Sequence, residues 1–120
     1  MIPRYRAWDK ENKCWTNYAI IDNMQRFYDK HIGDWLCGNK DWFVLMQSTG
    51  LTDKTGAEIY EGDIVTNCIE DVTGFVYFDA KQLQIVISGK NKNWYMCGNN
   101  TFRDCEVIGN IYENPDIMKN

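Results

Sequence analysis

Residues 45–65 read LMQSTGLTDKTGAEIYEGDIV. The stretch holds two turn signals at short distances from three apolar runs. Thr52-Asp53-Lys54-Thr55-Gly56 is the first turn: an aspartate can accept bonds from its own backbone two residues on, and glycine tolerates positive φ where the chain reverses. Glu61-Gly62-Asp63 is the second. Apolar runs this short, punctuated this closely, write a β-meander.

Working outward, the same punctuation recurs. Residues 2–8 form an expected strand, with Tyr5 and Ala7 on one face and Arg4, Arg6 and Trp8 on the other. The charged turn 9–13 and an expected returning strand over 14–21 complete an N-terminal hairpin. Downstream, expected strands cover 42–47 (bent or ended at Thr49-Gly50), 57–60, 64–69, 74–79, 83–88, 94–97 and 106–111. In the strand 83–88, Leu83, Ile85 and Ile87 share one face, and Gly109 marks a bulge or a close backbone approach. Asn114 is an expected N-cap for a helical turn opened by Pro115. Residues 22–41 read two ways. Met24, Phe27, Tyr28, His31 and Ile32 recur at spacings of three and four, which fits a short helix, while a strand pair broken by Gly33 and Gly38 fits as well.

Many short strands joined by Gly, Asn and Asp turns indicate an all-β, mainly β fold. A small barrel of about five strands is expected in the second half, since closing a sheet removes exposed edges. The 120 residues form one expected domain, with a hairpin and variable segment over 1–44 and a barrel core over 45–120. No linker, internal repeat or low-complexity tract stands out.

The formal charge is −4, and duplex binding usually rests on Lys and Arg neutralising phosphates. No apolar run reaches the roughly 20 residues of a membrane span, and the start MIPRYRAWDK lacks the apolar core of a signal peptide. The chain thus reads as cytoplasmic. Five cysteines, Cys14, Cys37, Cys68, Cys97 and Cys105, are an odd set with no pair spaced for zinc, and read as reduced, small apolar residues. No cofactor and no metal site is expected, and no phosphate-cradling glycine loop occurs.

Glu58, Glu61 and Asp63 are the acids that could divide acid and base roles or hold a hard cation. The structural alternative is a turn whose Asp accepts backbone amides and whose Glu residues face water. The single His31 has no nucleophile at motif spacing and reads as a surface imidazole. Trp8, Trp15, Trp35, Trp42 and Trp94 read as core anchors or as an aromatic groove, with Trp8 beside Arg4 and Arg6 as the exposed set to expect. Asn110 is expected to bond the neighbouring strand.

Three segments carry a family resemblance: residues 6–10 (RAWDK), residues 46–65 (MQSTGLTDKTGAEIYEGDIV) and residues 106–115 (EVIGNIYENP). In order and spacing the chain resembles the YopX family of phage and prophage proteins. The resemblance implies a β-rich fold of SH3-like barrel character and a bacterial host. It implies no reaction, cofactor or catalytic residues.

The leading expectation is a non-enzymatic accessory protein that binds a host or phage protein, or another copy of itself. Arg4, Arg6, Trp8, Tyr60, Glu61, Asp63 and Trp94 are the candidate contact residues. One alternative is a nucleic-acid-binding barrel using Arg4, Arg6, Trp8, Lys90, Lys92, Trp94 and Arg103. A second is an enzyme using Glu58, Glu61 and Asp63 with a divalent cation.

Overall fold

A computed structural model of the chain describes residues 4–38, 40–67, 72–79, 84–89, 93–95 and 104–118. These residues are mostly strand, as the turn pattern requires, with a short 3₁₀ helix at Pro115–Met118. The chain divides into two compact units, Met1–Gln47 and Ser48–Asn120.

The first unit holds β1 (Tyr5–Asp9), β2 (Cys14–Thr16), β3 (Tyr18–Ile21), β4 (Met24–Asp29), β5 (Asp34–Cys37) and the start of β6 (Phe43–Thr52). β1 lies between β2 and β6, antiparallel to both. β3, β4 and β5 form a three-stranded antiparallel sheet. The returning strand expected over 14–21 is therefore two strands, broken at Asn17, whose carbonyl accepts the Tyr28 amide at 3.0 Å. Ala7, Phe27 and Phe43 make the core, with Tyr18, Leu36, Trp42 and Leu45 packed against them. The Phe27 and Phe43 rings stack with centroids 5.0 Å apart.

The helical reading of residues 22–41 is overturned. Asp22 and Asn23 both take positive φ, 53° and 64°, which suits the tight turn of a β-hairpin. Phe27 and Asp29 are then buried on alternate positions, with period two. The three-and-four spacing arose because Phe27 and Tyr28 sit on opposite faces of one strand and both are aromatic.

A local repeat also corrects the sequence reading. Residues 6–15 and 26–35 both read Arg-x-aromatic-Asp-Lys-x-x-x-x-Trp. Each folds to the same hairpin. The Asp9 carboxylate accepts the amides of Glu11 and Asn12, both at 3.0 Å. The Asp29 carboxylate accepts those of His31 at 2.9 Å and Ile32 at 3.3 Å. Each loop ends at positive φ, 53° at Lys13 and 72° at Gly33. Across each hairpin two aromatics meet edge to face, Trp8 with Trp15 at 5.0 Å and Tyr28 with Trp35 at 5.4 Å.

The second unit takes over β6, whose later residues pair with β7 (Glu58–Tyr60) through a bulge between Ser48 and Thr52. So the strand bends at Thr49 and Gly50 rather than stopping. A five-stranded antiparallel sheet follows, in the order β11 (Asn93–Tyr95), β10 (Gln84–Gly89), β9 (Val72–Asp79), β8 (Asp63–Asn67), β12 (Cys105–Asn110). Its core is Ile59, Val65, Val76, Ile87 and Cys105, with Leu51 and Val107 against it. Val86 is as buried as Ile87, so this strand is covered on both faces, where the alternation of 83–88 suggested one. Leu83 lies outside the described residues. Each of these buried aliphatic side chains stabilises the unit by about 1.5–3 kcal/mol.

Candidate functional site

Among the described residues, Asp9, Asp53, Asp63 and Asn110 are buried polar side chains that lie in the three segments that resemble a family. Asp53 sits in the first turn and is 6% exposed. Its Oδ1 accepts the Thr55 amide at 2.8 Å, the Thr55 hydroxyl at 2.7 Å and the Ala57 amide at 3.0 Å. Its Oδ2 reaches β12 and accepts the Val107 amide at 2.8 Å. Burial alone would raise its pKa; the bonds from Val107, Thr55 and Ala57 outweigh it and hold the carboxyl below its ordinary value. The Lys54 amide adds a bond to the Cys105 carbonyl at 2.9 Å.

The second turn is built the same way. Asp63 is buried, and its Oδ2 accepts the Tyr60 amide at 2.8 Å. Gly62 takes φ of 90°, donates to the Val76 carbonyl at 2.8 Å and accepts the Ile111 amide at 2.9 Å. The closing segment is drawn in by these bonds. Asn110 Oδ1 accepts the amides of Tyr112 at 3.0 Å and Glu113 at 2.8 Å, so it caps its own turn rather than bonding the neighbouring strand. The bulge expected at Gly109 is present, as a register shift between Val107 and Gly109. A Cβ there would stand 2.5 Å from Asn114 Oδ1. That oxygen accepts the Asn110 amide at 3.2 Å, so the Asn114 side chain closes the bulge instead of capping the 3₁₀ helix.

The acidic trio is thereby dispersed into separate tasks. Glu58, expected to face water, is half-buried and accepts the Ser48 hydroxyl. Glu61 lies within electrostatic reach of Tyr112, whose pKa is raised first by burial and then by that charge. Among the described residues no group of three or more His, Cys, Asp or Glu is arranged to hold a metal ion.

The remaining candidates divide between the units. Arg4 is exposed. The Arg6 guanidinium lies over the Trp15 ring, 4.6 Å from its centroid, with Nη2 3.6 Å from the Met46 sulfur. Trp8, the tryptophan singled out for an exposed groove, is only 5% exposed, as its core-anchor reading has it, wedged against Trp15 and opposite Val44. Tyr60 is half-buried in β7. Trp94 is placed as a backbone position of β11, opposite Ile87. Lys90, Lys92 and Arg103 lie outside the described residues. His31 is exposed. Cys14, Cys37 and Cys105 are free thiols, and burial pushes the Cys105 thiol up to about 11, so it is not a nucleophile at neutral pH. Cys68 and Cys97 lie outside the described residues. No helix among the described residues is long and apolar enough to cross a membrane.

Sequence reading missed Arg26, which shares one face of the three-stranded sheet with Tyr28 and Trp35. The signal was present in the repeated Arg-x-aromatic-Asp-Lys pattern.

A family model described as YopX protein matches residues 4–119. The fold is similar to that of protein EF1440 from Enterococcus faecalis, with 25% identity, a TM-score of 0.58, and 99% of each chain covered. Protein yopX from Bacillus subtilis is similar at 17% identity with a TM-score of 0.46, over 96% of this chain and 97% of that one. No curated protein matches.

Proposed function

Because the chain belongs to the YopX family, we propose that it is a non-enzymatic accessory protein of a phage or prophage, acting in the cytoplasm of a bacterial host as a protein-interaction module. One observation carries this reading. Asp53, Asp63 and Asn110, the buried polar residues of the central and closing family segments, accept backbone amides. Residues so engaged build a scaffold; they are poorly placed to exchange protons with a substrate. The surface offers something else: large apolar side chains at Ile20, Ile21, Met24 and Ile32 on the hairpins of the first unit. Ile21 and Met24 stand opposite each other on one hairpin, and exposed apolar side chains so paired suit a protein partner or a second copy. The test is capture from host lysate, followed by titration of the purified captured protein. A saturable isotherm is expected. Repeated capture with no saturable partner, the chain itself included, would end the reading.

A second reading is binding of single-stranded nucleic acid. Charge is unevenly spread: residues 1–47 carry seven Lys and Arg against six Asp and Glu, whereas residues 48–120 carry six against eleven. Two of the six acids in the first unit, Asp9 and Asp29, are buried in their turns. Salt-dependent retention on single-stranded DNA would favour this reading, and unchanged elution at low salt would reject it.

A further inference from the structure

The three-stranded sheet has one face committed to the core and one that is not. Tyr18, Phe27 and Leu36 point into the aromatic core of the first unit. The pairings Ile21 with Met24, Arg26 with Cys37 and Tyr28 with Trp35 put these six side chains on the other face. Ile21 is 40% exposed and Met24 46%, while the other four are half-buried. Cys37 and Met24 touch through their sulfurs at 3.9 Å. The face is thus apolar and aromatic, with one cation at its middle and no carboxylate.

That cation is in an unfinished environment. Arg26 Nε is buried and has no hydrogen-bond partner. The nearby acids are turned to other work: Asp29 accepts the His31 and Ile32 amides, and Asp34 accepts the Trp35 amide at 2.7 Å. Nε itself is covered, but the residue is only half-buried and forms no ion pair among the described residues, so the rest of the guanidinium is where a partner's counter-charge would sit. A planar fork of donors matches a carboxylate or a phosphate, and the apolar neighbours on this face favour the carboxylate of a peptide. Arg, Tyr and Trp are also the residue types that dominate the energetics of protein interfaces.

We propose that this face docks a protein segment carrying a carboxylate between apolar side chains, with the carboxylate seated on Arg26 and the apolar groups on Ile21, Met24, Tyr28 and Trp35. The inference rests on the reading of the chain as a protein-interaction module and names the partner's chemistry. The charge of the occupant follows from Arg26, and its apolar flanks follow from the neighbours on the same face.

The probe is the short extended peptide Leu-Ser-Glu-Ser-Leu, whose two leucines and one glutamate fall on a single face, titrated calorimetrically into the full chain beside its glutamine and lysine twins. The glutamate peptide is expected to bind at least about tenfold more tightly than the glutamine twin. Arg26→Gln should erase that difference, and Arg26→Glu should reverse the preference toward the lysine twin. Met24→Glu, at a position exposed enough to leave folding intact, should weaken the glutamate peptide more than its twins, since it adds a like charge as well as removing an apolar contact. Equal binding of the twins overturns the proposal, as does no binding of any of them. Binding indifferent to both Arg26→Gln and Met24→Glu overturns it too. So does Arg26-dependent binding of a single-stranded oligonucleotide in place of the peptide. A lysate partner that binds saturably to all these variants alike would retain the interaction-module reading while rejecting this surface.

Discussion

The two units use one chemical device at two ranges. In the first, Asp9 and Asp29 each gather amides two and three residues ahead and so close a hairpin loop. In the second, Asp53 gathers Thr55 and Ala57 in the same local way, then spends its other oxygen on Val107, 54 residues along the chain. The local version sets a turn. The long-range version joins a turn to a distant strand, so its loss is felt in the packing of the whole unit. The family's central and closing segments meet at this bond and at the Ile111–Gly62 bond, and the Lys54–Cys105 bond ties the residue just before the closing segment to the same turn.

Removing the carboxylates should separate the two units. Asp53→Ala takes the acceptor from the amides of Thr55, Ala57 and Val107 and should cost about 3 kcal/mol of stability, read as a lowered urea midpoint at unchanged slope. The same carboxyl gives the comparison a pH axis. Its folded pKa lies below its unfolded one, so its contribution is complete above the unfolded value near 3.8 and is lost as pH falls through the folded value. Asp53→Asn should therefore flatten stability against pH in the acid limb below about pH 4. An acid limb identical in the wild type and this variant would show that the latch does not set it.

Gly109→Ala is the next largest break. The added methyl meets the Asn114 side chain at 2.5 Å, so the bulge or the side chain must shift, at about 1–3 kcal/mol. Urea melts of the single variant and of Gly109→Ala with Asn114→Ala give the sign: partial rescue in the double variant identifies that contact as the cause.

Asp29→Ala sharpens the comparison from the other side. It removes a local cap only, so about 1 kcal/mol is expected, with opening confined to the hairpin in amide exchange. A loss matching that of Asp53→Ala would erase the distinction between the units. The smallest effect is reserved for Lys54 and Glu106, 3.8 Å apart with both side chains 44% exposed. Solvent screens such a pair, and Lys54→Ala should change stability by less than about 1 kcal/mol.

How much of this was legible depended on range. The turns at Asp53 and Asp63, the bend at Gly50 and the bulge at Gly109 could be read because each is a contest between a residue and its immediate backbone. Residues 22–41 were ambiguous for a physical reason. A strand with aromatics on both faces produces spacings of three and four by accident, and only the partner strands decide which period is real. Trp8 defeated the reading because a tryptophan beside two arginines fits a wet groove or a packed sheet equally well. Its burial follows from neighbours on β2 and β6. Arg26 was passed over because a lone arginine carries no signal until the sheet around it is known to lack an acid.

The order of strands and turns in this protein was written locally, in apolar runs a few residues long and in Asp, Asn and Gly at the reversals, because steric limits and short-range hydrogen bonds act between neighbours. Which carboxylate would latch a strand half a chain away, which tryptophan would be covered and which arginine would be left without an acceptor were decided only on folding. Those outcomes depend on which faces meet, and pairing across long loops is settled by the sum of many contacts rather than by any one residue.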